Sequence, residues 1–150
     1  MLFSKFGVKE GAVKNNHATF YALQVAELAN YVEDKKICIN ELNKVKNVLI
    51  KEQIKKDGSM PAELVRTKPI HYSLFNLSAF THLAILGDIY NIDLWNAKSV
   101  SSGSIIDAID FIINKIYKLS NNKTEKINYS YVIGVLKTAS TNIKYKEKYK

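Results

Sequence analysis

The stretch from Tyr72 to Ile92, YSLFNLSAFTHLAILGDIYNI, decides the fold. Leu74, Phe75, Leu77, Phe80, Leu83, Leu86 and Ile89 spread around a helix and leave little of it polar. A helix that is apolar on most sides is buried on most sides. Asn76, Ser78, Thr81, His82 and Asp88 make it too polar to cross a membrane. It is therefore read as a core helix, and the rest of the chain must wrap it.

Upstream, HATFYALQVAELANYV from His17 to Val32 is a second helix of the same kind, with Gln24 and Glu27 as its narrow polar strip. Asn15 or Asn16 suits its N-cap, where a short side-chain oxygen satisfies a free backbone N–H. Between the two, Asn40 to Lys55 reads as a surface helix. Leu42, Val45 and Leu49 form one stripe, and Lys44, Lys46, Lys51 and Lys55 occupy a solvated face. Asp57-Gly58 is a turn signal that ends it, and Met60 to Ile70 reads as a long loop. Downstream, Ser104 and Asp107 have the spacing of a capping box at the start of a helix over 105–119. A further helix is expected over 127–142, and the lysine-rich tail 144–150 is expected to fray. Trp95 can stack on a sugar or pack against a helix, and His82 reads as a core or groove histidine. Alternating strand patterns are missing. The expected architecture is all-α, with buried helices alternating with surface ones in a double layer.

The 150 residues suffice for one domain, and 47% hydrophobic with 24% charged residues is a globular balance. The excess of 22 Lys+Arg over 14 Asp+Glu, a formal +8, favours anionic partners such as an acidic polysaccharide or nucleic acid. The positive charge is scattered, and no helix carries the Arg and Asn pattern of a nucleic-acid reader. Cys38 is alone, which rules out an internal disulfide and suits a small buried residue. Met1-Leu2-Phe3-Ser4-Lys5-Phe6 lacks the pattern of a signal peptide. The three histidines lack the spacing of a metal site, so neither metal nor cofactor is expected.

The chemistry concentrates in Arg66-Thr67-Lys68-Pro69-Ile70-His71-Tyr72-Ser73. A guanidinium, an ammonium, an imidazole and a phenol crowd the connector before the core helix, where sites tend to be built. Pro69 biases Lys68 toward an extended conformation, so this helix is expected to start near His71 or Tyr72. The other half of the site is Asn15-Asn16-His17. Helix starts offer unpaired N–H groups and a positive dipole end to an anion, and Asn, His and Arg add donors suited to a carboxylate. Tyr72 offers a phenol for proton transfer. These parts fit β-elimination beside a carboxylate, in which neutralising that carboxylate stabilises the charge that develops as the α-proton leaves. Taken singly, Asn-Asn-His can be a plain N-cap, Arg66 can pair with Glu63, and Tyr72 can be a core tyrosine.

Asn15-Asn16-His17 with Phe20-Tyr21 and Gln24 resembles the NNH segment of the alginate lyase superfamily. Asp57-Gly58-Ser59-Met60-Pro61-Ala62-Glu63-Leu64, Arg66 and Ile70-His71-Tyr72-Ser73-Leu74-Phe75-Asn76-Leu77 resemble its second block, and Asp93-Leu94-Trp95 its downstream marker. The resemblance implies a partial (α/α) toroid of about five helices, here the C-terminal half, truncated at the N-terminus. It also implies cleavage of uronate-containing polysaccharide and a periplasmic or secreted location. Asn16 and His17 would neutralise the substrate carboxylate, His17 also serving as base for one sugar epimer, and Arg66 would assist. Tyr72 would be the catalytic acid, and the base where proton and leaving group share a face. Asn15, Tyr21, Lys68 and His71 would line the substrate cleft. The rival expectation is a non-catalytic remnant that at most binds acidic glycans. Helices left uncovered by a missing half would favour self-association.

Overall fold

A computed structural model describes residues 9–119, 127 and 129–141 of the chain. The expected tail lies outside these residues. Among them the fold is all-α, and one isolated bridge between Lys55 and Ser102 is the sole strand-like pairing. No described helix is long and apolar enough to cross a membrane.

Helix α1 (Asn16–Tyr31) opens where its cap is expected. Asn15 is extended, and its Oδ1 accepts the backbone N–H of His17 at 3.0 Å. The chain reverses through Glu33, which takes a left-handed φ of 60°. Asp34 then caps α2 (Lys35–Lys44) by accepting the Ile37 N–H at 3.1 Å. This helix starts five residues before the expected Asn40. Its first turns bury only Cys38, so they show no apolar stripe from which a helix can be read. A π-helical turn, Val45–Leu49, joins α2 to α3 (Ile50–Gln53) without a break in the rod.

The Asp57-Gly58 turn closes as its sequence predicts. Gly58 sits at φ 83°, a conformation that costs a side chain strain. A Cβ there would also run into the carbonyl oxygen of Asp107, so the turn packs directly on a later helix. Hydrogen bonding from Ser59 holds the Asp57 carboxyl below its usual value. The expected loop from Met60 to Ile70 contains a short helix, α4 (Pro61–Leu64), with proline at its first turn. Helix α5 (Pro69–Ile89) likewise starts on a proline, ahead of the expected His71 or Tyr72. The constraint of Pro69 acts on Lys68 before it, whereas the proline itself is pre-set for a helix start. The helix ends at Ile89 instead of Ile92 because Asn91 turns left-handed at φ 57° and the Ile92 N–H folds back to the Gly87 carbonyl at 2.8 Å. Helix α6 (Ile105–Leu119) matches its expected bounds. Its capping box is reciprocal: Asp107 N–H donates to Ser104 Oγ at 3.2 Å, and Ser104 N–H to Asp107 Oδ2 at 2.9 Å. Helix α7 (Tyr129–Ala139) falls inside the expected 127–142.

Contacts between these helices fix their directions. Phe20 and Phe75 stack at 4.2 Å near the starts of α1 and α5, and Tyr90 donates to Asn30 Oδ1 at 2.7 Å near their ends. The two core helices therefore run parallel. Tyr131 meets His71 edge-on at 5.4 Å, which sets the start of α7 beside that of α5. The rod of α2 and α3 runs the other way: it leaves the end of α1 and brings Gln53 back to Thr19, near its start. Helix α6 also returns. It begins beside Trp95, whose indole N–H donates to Asp88 at 2.9 Å, and then lays Ile109, Ile112, Ile113 and Ile116 along Leu74 and Leu77. Parallel helices α1, α5 and α7 thus alternate with returning ones, the double layer that the sequence predicts. Trp95 is 0% exposed, which settles its role as packing and removes it from sugar stacking. Cys38 is buried as expected.

Candidate active site

The parallel arrangement gathers the chemical groups at one end. The start of α1 carries Asn15, Asn16 and His17, the segment after α4 carries Arg66 and Lys68, and the start of α5 carries His71 and Tyr72. The Arg66 guanidinium carbon lies 4.1 Å from the centre of the Tyr72 ring, a cation–π contact worth about 0.5–2 kcal/mol. Both side chains are half-buried, so a ligand can reach them. His71 lies 5.5 Å from Tyr72 in an edge contact, and parallel to Phe75 at 6.4 Å. Phe75 in turn stacks on Phe20 of α1, so an aromatic ladder ties the two helix starts together.

The remaining expected site residues are placed differently from one another. Asn15 is consumed as the cap of α1. His17 is exposed, and its Nδ1 lies 2.7 Å from Glu10 Oε2. Lys68 is exposed at the N-cap position of α5. Tyr21 faces the return rod, with Lys44 Nζ 5.6 Å from its ring centre. Asn16 is 4% exposed, and both of its nitrogens point at Glu63. The backbone N–H of Asn16 donates to Glu63 Oε1 at 2.6 Å, and its Nδ2 donates to Oε2 at 3.0 Å.

Glu63 itself is 0% exposed and does not pair with Arg66, the simpler alternative that the sequence allowed. Only the backbone joins them, through the Arg66 N–H to the Glu63 carbonyl at 3.1 Å. Around the carboxylate lies a buried polar cluster. Asn76 Nδ2 reaches Gln53 Oε1 at 2.8 Å and Glu63 Oε1 at 3.4 Å, and Thr19 Oγ1 donates to Gln53 Oε1 at 3.2 Å. Sequence reasoning missed Gln53, Thr19, Tyr131 and this role of Glu63. One signal was available: Asn76 stands among Leu74, Phe75 and Leu77 on a helix meant for the core, and a buried amide needs partners. Tyr131 gave none.

The site is thus an all-α scaffold whose parallel helix starts present a cation, a phenol and imidazoles over a buried carboxylate. Comparison with known proteins bears on the family and on the all-α fold. The family model described as alginate lyase matches residues 1–123, and the chain belongs to the alginate lyase family. A crystal structure of an alginate lyase from Bacteroides ovatus superposes with a TM-score of 0.83 at 26% identity. The match covers 94% of this chain and 39% of that one, so the chain spans about two-fifths of the length of its structural neighbour. A search of curated proteins gave no match.

The capping bond gives a direct prediction. Asn15→Ala should cost about 1 kcal/mol of stability in thermal or denaturant unfolding, as the loss of an N-cap does. Unchanged stability would instead leave Asn15 available for the cleft.

Proposed function

We propose that this chain is the part of a polysaccharide lyase that holds its proton-transfer and charge-neutralising groups, cleaving uronate-containing polysaccharide such as alginate by β-elimination. Its alternating layers form an arc of an (α/α) toroid. The observation that carries the reading is the contact of Arg66 with Tyr72 at the shared end of α1 and α5, within a chain that belongs to the alginate lyase family.

In this mechanism a base removes the proton from the carbon α to the uronate carboxylate. The electron pair of that C–H bond forms the new C=C bond, and the bond from the β-carbon to the glycosidic oxygen breaks. That oxygen leaves with a proton. Tyr72 supplies the proton, and it is also the base where proton and leaving group lie on one face of the sugar. His17, exposed at the start of α1, is the base for the other face. The substrate carboxylate lies against the Arg66 guanidinium, where charge developing on it is stabilised. Asn16 contributes through the amide hydrogen that Glu63 does not take. Lys68 and His71 flank the sugar chain as donors.

Elimination leaves a C=C bond conjugated to a carboxylate, which absorbs in the ultraviolet. With alginate as substrate, absorbance should rise, and Tyr72→Phe should reduce kcat by about 10²-fold or more, the scale of general acid–base catalysis. No rise from a folded wild-type chain would reduce the reading to glycan binding.

A second expectation concerns the open face of the core helices. Leu28, Tyr31, His82, Ile85, Leu86 and Ile89 line a groove of about 720 Å³ between α1 and α5, and Tyr31 is 84% exposed. His82, read as a core or groove histidine, is on the groove. We propose that this apolar face drives self-association of the chain. Sedimentation should show mass rising with concentration, and Leu28→Glu should reduce it. A monomer at all concentrations would contradict this.

A further inference from the structure

Glu63 presents a physical problem that the roles above leave open. Its carboxylate is fully buried, and among the described residues no ion pair includes it. The single arginine of the sequence, Arg66, lays its guanidinium on Tyr72 instead. A buried charge without a counter-ion survives only when hydrogen-bond donors meet it fully. Those donors are the Asn16 backbone N–H at 2.6 Å and Asn16 Nδ2 at 3.0 Å, with Asn76 Nδ2 at 3.4 Å as a longer third contact. The first belongs to the N-terminal turn of α1, where the helix itself stabilises an anion.

We propose that Glu63 is a positioning residue of the lyase reaction: it orients the Asn16 amide and locks the start of α1, and with it His17, against the segment that carries Arg66. The proposal rests on the lyase reading above and adds the residue on which its geometry depends. An ionised carboxylate only accepts hydrogen bonds, so Asn16 must turn its NH₂ group toward it. The amide oxygen and the second amide hydrogen then have one fixed direction. A neutral glutamine of the same shape would offer both a donor and an acceptor, and the amide could reverse.

The connectivity gives this lock its reach. Glu63 belongs to α4, three residues ahead of Arg66. Asn76 lies one helical turn beyond Tyr72 on α5, and it also binds Gln53 at the end of the return rod. Three separate sources of site residues therefore meet at one carboxylate. Small misplacements of such groups cost rate far more than they cost stability.

The test compares the intact wild-type chain with Glu63→Gln, Glu63→Asp and the double variant Asn16→Asp with Glu63→Gln. Two readouts are needed: amide hydrogen exchange by NMR, and kcat and KM for alginate elimination. In Glu63→Gln the neutral carbonyl is a weaker acceptor for the Asn16 N–H than the carboxylate, so the amide of Asn16 should exchange at least about tenfold faster while those of Leu77 to Leu83 stay within about twofold. Its kcat should fall at least about tenfold with KM within about threefold. In the double variant, the introduced glutamine donates to the introduced aspartate, and the bridge re-forms with its charge on the other partner. Exchange protection should return while kcat stays low, since the donor amide on α1 is gone. If Glu63→Gln does not fold, Glu63→Asp keeps the charge on a shorter arm and should show the same local pattern at smaller amplitude.

Exchange that accelerates evenly through α1 and α5 would overturn the proposal, leaving Glu63 as general core support. Unchanged kcat despite a loosened α1 start would overturn it equally. An inactive wild-type chain would remove the lyase reading and the catalytic half of the proposal. The exchange pattern would then still decide whether Glu63 pins α1.

Discussion

A carboxylate taken out of water must be met by donors, and the donors available to Glu63 lie on elements far apart in the chain. Asn16 is 47 residues upstream, and Asn76 is 13 downstream. Satisfying that one group fixes where α1 begins relative to α4, and where α5 lies relative to both. The surrounding amides extend the constraint to Thr19 and to Gln53 at the end of the return rod. Apolar packing of residues such as Phe80, Leu77 and Leu83 supplies the bulk of the stabilisation, but it is non-directional. The polar cluster sets the register in which those surfaces meet. It also lies beneath the site, so the same bonds that align the helices align the groups proposed to do chemistry.

Much of this is legible in the sequence. The two core helices announce themselves by being apolar on most sides, and the cap at Asn15, the Asp57-Gly58 turn and the capping box at Ser104 and Asp107 all form as their residue types require. What fails to show has physical reasons. The first turns of α2 bury a single side chain, so no periodicity marks them. Two helices start on prolines, and the restriction that a proline places on its predecessor is easily mistaken for a break in the helix itself. The parallel run of α1 and α5 depends on contacts between distant residues, such as Phe20 with Phe75 and Asn30 with Tyr90, which no local pattern encodes.

The site is legible in its residue types and less so in their division of labour. Arg66 and Tyr72 read as partners in one site, and they touch. Asn16 reads as facing the substrate, yet most of its donor capacity is spent inside the protein. Glu63 looks like an ordinary acidic neighbour for Arg66, because charge and spacing suggest a surface ion pair whenever burial is unknown. The chain belongs to the alginate lyase family and spans about two-fifths of the length of its structural neighbour.

The most direct test is a crystal structure of the Tyr72→Phe chain with a short oligouronate bound. The account predicts a uronate carboxylate against Arg66 and the start of α1, with the glycosidic oxygen facing position 72 and the Asn16–Glu63 bridge intact. An oligosaccharide seated in the groove between Leu28 and Ile89, or a bound state in which Asn16 has left Glu63, would contradict it.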